Sequence, residues 1–173
     1  MSDNKLQINT SGSLVQKIQD AFAAGLSRKK VRYLLTIKQL FNLELYGLLK
    51  AKIGPLNTAN LALKFNGAGE ASFESIQTDI LDVKLANVGT VSLVGKANEQ
   101  FVTITGSGSY YAPNLASQKT KVDVKGIGSA TVWAIKDLEI IVTGVGTVSY
   151  YGTPQVKSKI APVGSLNHLG EHK

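Results

Sequence analysis

Cysteine is absent from this 173-residue chain, which excludes disulfides, thiolate metal sites and cysteine nucleophiles, although it assigns no compartment. Proline occurs four times against 17 glycines, too little for collagen. No run of about 18 apolar residues exists, so the sequence predicts no membrane span. The first 30 residues do not have the shape of a secretory leader, because Gln16, Lys17, Gln19 and Asp20 interrupt their most apolar stretch, Leu14 to Leu26. That leaves either an intracellular protein or a chain that begins after a removed leader. Acidic residues are the scarcer sign, 12 against 19 Lys and Arg, for a formal charge of +7. Such an excess favours anionic surfaces or nucleic acid. Part of it is the local group Arg28, Lys29, Lys30 and Arg32, and we read it as a solvated basic face with no nucleic-acid partner.

What is present is a folded core and a repeat. Hydrophobic residues make up 43%, enough to argue against a disordered chain. Glycines recur at Gly69, Gly89, Gly108, Gly128, Gly146 and Gly164, with gaps of 20, 19, 20, 18 and 18 residues, and Gly47 extends the series backwards by 22. Most of these units carry a second glycine two residues earlier, as at Gly67, Gly106, Gly126 and Gly144. A period near 20 is the signature of a solenoid, whose repeats bury their apolar side only by stacking on their neighbours.

Aligned on the closing glycine, the units resolve into strands. Leu63/Phe65, Val83/Leu85, Val102/Ile104, Val122/Val124 and Ile140/Val142 stand six and four positions before it. Between them lie Lys64, Lys84, Thr103, Asp123 and Ile141, so the pattern has period two and one buried face. Ile141 breaks the pattern and is expected to be partly covered. A second alternating stretch follows the glycine: Leu49/Ala51, Ala71/Phe73, Val91/Leu93, Tyr110/Ala112, Ala130/Val132 and Val148/Tyr150 point inward. A shorter third stretch carries Ile76, Ala97, Leu115 and Ile135. Three short strands per unit predict an all-β fold, a single-stranded parallel β-helix of about seven turns with strands stacked about 4.8 Å apart. An antiparallel sandwich is the rival, but it needs stronger hairpin signals than this chain offers.

The N-terminal segment reads differently. Ser13 and Gln16 resemble a capping box, and Leu14, Ile18 and Phe22 form an apolar helical stripe that Gly25 would end. We expect a short helix capping the open end of the solenoid. The division expected is an N-terminal cap over 1–37, the solenoid over 38–169 and a tail over 170–173.

Few constellations suggest chemistry. His168, Glu171 and His172 match the spacing of some zinc peptidases, but Gly170 interrupts the motif and the chain ends one residue later, so a frayed tail is the simpler reading. Asp79 with Asp82, and Glu70 with Glu74, are candidate carboxylate pairs for sugar cleavage, yet neither has a nearby Arg and both read as solvated surface. The glycine pairs lack the lysine and helix of a phosphate loop. The expectation is therefore no catalytic residue, no metal and no cofactor. More informative are the outward aromatics. Trp133 and Tyr151 fall at equivalent positions of consecutive turns, five after the glycine, as does Pro113, with Tyr111 on the same face. Tyr111, Trp133 and Tyr151 form a candidate binding surface suited to a sugar ring or a partner protein; a structural stack that holds adjacent turns in register is the competing reading.

The stretches FNGAGEASF (65–73), VGTVSLVGKA (88–97), TGSGSYYAPNL (105–115), KGIGSATVWA (125–134) and GVGTVSYYGTP (144–154) together resemble the head GIN domain family of auto-transporter adhesins, over Asn57–Leu169. The resemblance implies an exported bacterial β-helical protein of the periplasm or cell surface, with no catalytic residues to carry over. The function expected is a non-enzymatic binding or adhesion module of the cell envelope, contacting a glycan or surface protein through the solenoid flank. The alternative is a scaffold that self-assembles through its ends or edges into a homo-oligomer.

Overall fold

A computed structural model describes residues 5–8, 39–86 and 88–172. Among these residues nine strands follow one another: β1 (Lys5–Ile8), β2 (Asn42–Ile53), β3 (Leu56–Leu85), β4 (Gly89–Ile104), β5 (Ser109–Val124), β6 (Ser129–Val142), β7 (Thr147–Tyr151), β8 (Gln155–Ile160) and β9 (Ser165–His168). Every pairing between these strands is parallel. The order is β1-β2-β3-β4-β5-β6-β7-β9, with β8 on β6. Parallel pairing of successive segments leaves no room for hairpins, so the chain winds as a parallel β-solenoid of about seven turns. One inward column counts the rungs: Ala51, Ala71, Val91, Tyr110, Ala130, Val148 and Leu166 lie opposite one another in sequence.

The expected inner column is present. Val83, Val102, Val122 and Ile140 are successive register partners, and all four are buried. The flanking columns Leu81–Gln100–Thr120–Leu138 and Leu85–Ile104–Val124–Val142 run parallel to it. On the outward positions, side chains reinforce the same register. Lys64–Glu44, Lys50–Glu70, Lys119–Glu99 and Lys121–Glu139 are ion pairs between residues directly opposite each other on adjacent rungs. Apart from Lys64–Glu44, whose carboxylate is buried, these pairs are largely exposed and contribute little to stability, but a shift of one residue would break every one of them.

Two kinds of glycine do different steric work at the corner. The first of each pair stacks on its counterpart: a Cβ on Gly126 would stand 2.5 Å from the Thr105 carbonyl oxygen and inside contact distance of the Gly106 oxygen, and Gly144 meets Lys125 and Gly126 in the same way. The closing glycine clears space for a core side chain of the rung below, Ile104 at Gly128, Val124 at Gly146 and Val142 at Gly164, each within 2.5–2.7 Å of a built Cβ. Backbone hydrogen bonds cross the same corner, from the Thr105, Lys125, Thr143 and Ala161 N–H groups to the Leu85, Ile104, Val124 and Val142 carbonyls, at 2.8, 2.8, 2.9 and 2.8 Å.

The register corrects three expectations. Gly47 lies opposite Gly67, not Gly69, because the first turn is 20 residues long and Leu49 occupies the place of the closing glycine. Ile135 is 38% exposed: between the register pairs Ser117–Ala134 and Lys119–Asp137, β6 carries one residue more than β5, and Ala134 fills the inward site opposite Ser117. The third inward column is Thr78–Ala97–Ser117–Ala134, with Ile76, Gly95 and Leu115 beside it. The helix expected over 14–25 lies outside the described residues, and no helix occurs among the described ones. Within the segment assigned to the cap, β1 pairs with β2 as a strand rung.

Within the core lies a buried polar network. The Gln100 amide donates to the Tyr110 hydroxyl at 2.6 Å, and the Ser117 hydroxyl donates to Gln100 Oε1 at 2.5 Å. Burial pushes the Tyr110 hydroxyl far above the ordinary tyrosine range, against the smaller opposing effect of the Gln100 hydrogen bond.

Two outcomes follow. Gly126→Ala should destabilise the protein by about 2 kcal/mol and lower Tm by about 4–8 °C, as expected for overpacking against backbone. Gly54→Ala, where a Cβ meets nothing within 4 Å, should leave Tm within about 2 °C, and calorimetry of the pair checks both. Because the folded pKa of Tyr110 is raised, its contribution to stability is intact below about pH 10 and is lost above it, as the unfolded tyrosine ionises. The stability gap between wild type and Tyr110→Phe, from urea melts, should narrow between pH 8 and pH 11; a constant gap would mean that the hydroxyl is solvated.

Candidate binding surface

The aromatic positions sit at the end of the second strand of each turn, where β6 and β7 turn towards the third column. Outward residues of that strand form the ladder Ser72–Ser92–Tyr111–Thr131–Ser149–Asn167. Tyr111 projects from it and is 54% exposed. Two residues further along the chain, Trp133 and Tyr151 are direct register partners, as the spacing predicts. Both are half-buried. Pro113 is not in their column. β5 carries extra residues between Ala112 and Ala116, so Trp133 lies opposite Ala116 and Pro113 is buried at the corner. Tyr111 and Trp133 therefore share a face on adjacent rungs but are diagonal, not vertical, neighbours.

The C-terminal segment, read from sequence as a frayed tail, lies against this face. β9 adds a rung to β7, the Leu169 N–H donates to the Tyr150 carbonyl at 2.8 Å, and the Gly152 N–H donates to the Gly170 carbonyl at 3.0 Å. His172 then stacks on the Trp133 indole with ring centroids 3.8 Å apart and planes 8° from parallel, while Tyr151 meets the same imidazole edge-on at 5.7 Å. His172 Nε2 also lies 3.0 Å from Asn114 Oδ1. His168 stacks on Tyr150 at 4.7 Å and its Nε2 is 2.8 Å from the Gly152 carbonyl oxygen. The two histidines of the peptidase-like spacing are thus committed to separate aromatic stacks. Sequence reasoning missed this imidazole contribution because His172 reaches Asn114 across 58 residues of chain.

The candidate carboxylates disperse. Asp79 accepts a hydrogen bond of 2.6 Å from Asn98, Asp82 pairs with Lys84 at 3.0 Å, and Glu70 pairs with Lys50 at 2.6 Å. The Lys50 hydrogen bond and charge hold the Glu70 carboxyl below the usual range, the opposite of what a general acid needs. No group of three or more His, Asp or Glu suited to a metal ion occurs among the described residues. Nor is any helix there long and apolar enough to cross a membrane.

Two concavities stand out. One is a core gap of about 10 Å³ between Leu43, Leu63, Phe65, Phe73 and Val83, too small for a ligand. The other is an open polar trough of about 460 Å³ on the outside, running across the rungs that carry Asn57, Gln77, Asp79, Lys96 and Asn98.

Among solved structures, the chain is similar to the "Putative lipid binding protein from Parabacteroides distasonis", with 25% identity and a TM-score of 0.70 over 74% of this chain. It is also similar to the "putative adhesin" from Bacteroides fragilis, with 29% identity and a TM-score of 0.69 over 75% of this chain. The chain spans 52% of the first protein and 61% of the second. No curated protein matches it significantly. The family model described as "Putative auto-transporter adhesin, head GIN domain" matches residues 1–154, taking in the N-terminal segment and stopping before β8. With its glycine-cornered rungs and that match over most of its length, the chain belongs to the head GIN domain family.

Proposed function

We propose that this solenoid is a non-enzymatic binding module of the bacterial cell envelope, which contacts a glycan or a surface protein through the flank bearing Tyr111, Trp133 and Tyr151. The observation that carries this reading is the register pairing of Trp133 with Tyr151, two aromatic rings held one rung apart on an outward face whose backbone cannot yield. Aromatic rings with apolar faces and polar edges suit sugar rings and protein side chains alike. His172 stacks flat on one face of Trp133 and fixes the indole, so a ligand would meet the remaining surface of a preorganised three-ring cluster. Membership of an adhesin-head family, and an adhesin-described relative of similar fold, support both the binding role and an envelope or surface location. The core gap among the described residues, about 10 Å³, is too small to admit the acyl chain that the other relative's lipid-binding description would suggest.

Self-assembly through the solenoid end has less support. On β8, Ser158 stands where Ile140 stands one rung below, and Lys157 and Lys159 flank it. A polar, lysine-bearing edge strand opposes the addition of further strands.

Wild type should bind a subset of an array of bacterial polysaccharides and host matrix proteins, and the Trp133→Ala/Tyr151→Ala double variant should bind that subset at least about tenfold more weakly, the equivalent of roughly 1.4 kcal/mol. Phe101→Ala, on another face of the rod, serves as the control and should bind as wild type does. Retained binding by a correctly folded double variant would remove the flank from consideration.

A further inference from the structure

The polar trough and the aromatic pair are not separate features. Gln77 lies opposite Lys96, Lys96 opposite Ala116, Ala116 opposite Trp133, and Trp133 opposite Tyr151. One column of the solenoid therefore runs from the trough to the aromatic cluster, four rung steps or about 19 Å along the axis, passing the small side chain of Ala116, which is only 9% exposed. Beside it, Asp79 and Asn98 form a second outward pair in register, joined by their 2.6 Å hydrogen bond. We infer that this column is a binding groove for a linear, uncharged glycan lying along the solenoid axis, with the trough at Asn57, Gln77, Asp79, Lys96 and Asn98 as its polar subsite and the Trp133–Tyr151–His172 ring cluster at its far end. The position of the far end rests on the flank reading above; the trough does not.

The lining chooses the ligand class. Asn57, Gln77 and Asn98 each present an amide donor and an acceptor, the pattern that pairs with hydroxyl groups, which also both donate and accept. The Gln77 and Lys96 side chains have no partner among the described residues, so their hydrogen-bonding capacity faces outward. Lys96 and Asp79 offset one another in charge, which disfavours a strongly anionic or cationic polymer. Thr58 and Thr78 turn inward instead, their hydroxyls donating to the carbonyls of Asn60, Ala59 and Ile80, and with Ala97 they leave a floor without bulk. Among the described residues no aromatic or arginine anchor lines the trough, which argues against a protein hot spot there, and its described lining lacks the apolar walls that a lipid chain needs. Polar groups on consecutive rungs, Gln77 with Lys96 and Asp79 with Asn98, suit a ligand that extends along the axis, and a solenoid offers such extended surfaces as a consequence of its winding.

The test is calorimetric titration with soluble linear oligomers of glucose, mannose and N-acetylglucosamine, graded in length. We expect at least one series to bind, with affinity rising as the chain lengthens. Gln77→Ala/Asn98→Ala should weaken binding of that series at least tenfold with circular dichroism unchanged, and Ala59→Trp, which fills the trough without removing a polar group, should do the same. Trp133→Ala/Tyr151→Ala should remove the gain with length and leave short oligomers bound. If the aromatic variant instead binds every length as wild type does while the trough variants fail, the trough subsite stands and the flank reading falls. If the trough variants bind as wild type does and only the aromatic variant fails, the inference is overturned and the flank reading stands. Absence of binding to every neutral series also overturns it.

Discussion

Lateral hydrogen bonding between parallel rungs is the constraint on which this molecule depends. Each rung satisfies its backbone polar groups only through the rungs above and below, so the positions of consecutive turns are set by one ladder repeated along the axis. The ladder can repeat only where corners let the backbones approach closely. A glycine over a glycine, as at Gly106, Gly126 and Gly144, removes the Cβ that would otherwise push adjacent corners apart. The second glycine of each unit serves the core instead, leaving room for Ile104, Val124 or Val142 to fill the interior. The doublet thus couples the corner to the packing behind it.

Once register is fixed, surface and core follow from it. Inward columns are mostly aliphatic, interrupted where Gln100, Tyr110 and Ser117 satisfy one another in the interior. Outward columns carry opposite charges on facing rungs, the trough, and the aromatic pair. A column on such a rod is a straight row of side chains at one spacing, and mutual alignment of distant residues costs no further ordering. Gln77 and Tyr151 are 74 residues apart in the chain yet belong to one row.

Much of this was legible in the sequence because the repeat is physical periodicity, not similarity to something else. Val83, Val102, Val122 and Ile140 could be aligned by counting from the closing glycines, and so could Trp133 and Tyr151. Counting failed where turn length changed without a glycine to mark it. The first turn places Leu49 at the closing position, β5 carries extra residues after Ala112, and β6 carries one extra residue before Asp137, so that Ile135 faces outward. The trough was invisible for a different reason: its residues are ordinary surface amides and small side chains, and only the convergence of Asn57, Gln77 and Asn98 from different rungs makes them a site. The docking of His172 on Trp133 is a contact between the last residues and the middle of the chain, which no local pattern encodes.

The most direct test of the central claim is a distance between two positions of one column. With no native cysteine to interfere, Ser72→Cys and Ser149→Cys can be spin-labelled together and measured by pulsed electron resonance. In-register stacking places them four rungs apart and predicts one narrow distribution near 20 Å, from four steps of about 4.8 Å. A distribution centred beyond about 30 Å, or one split into several distances, is incompatible with rungs stacked about 4.8 Å apart and would contradict the account.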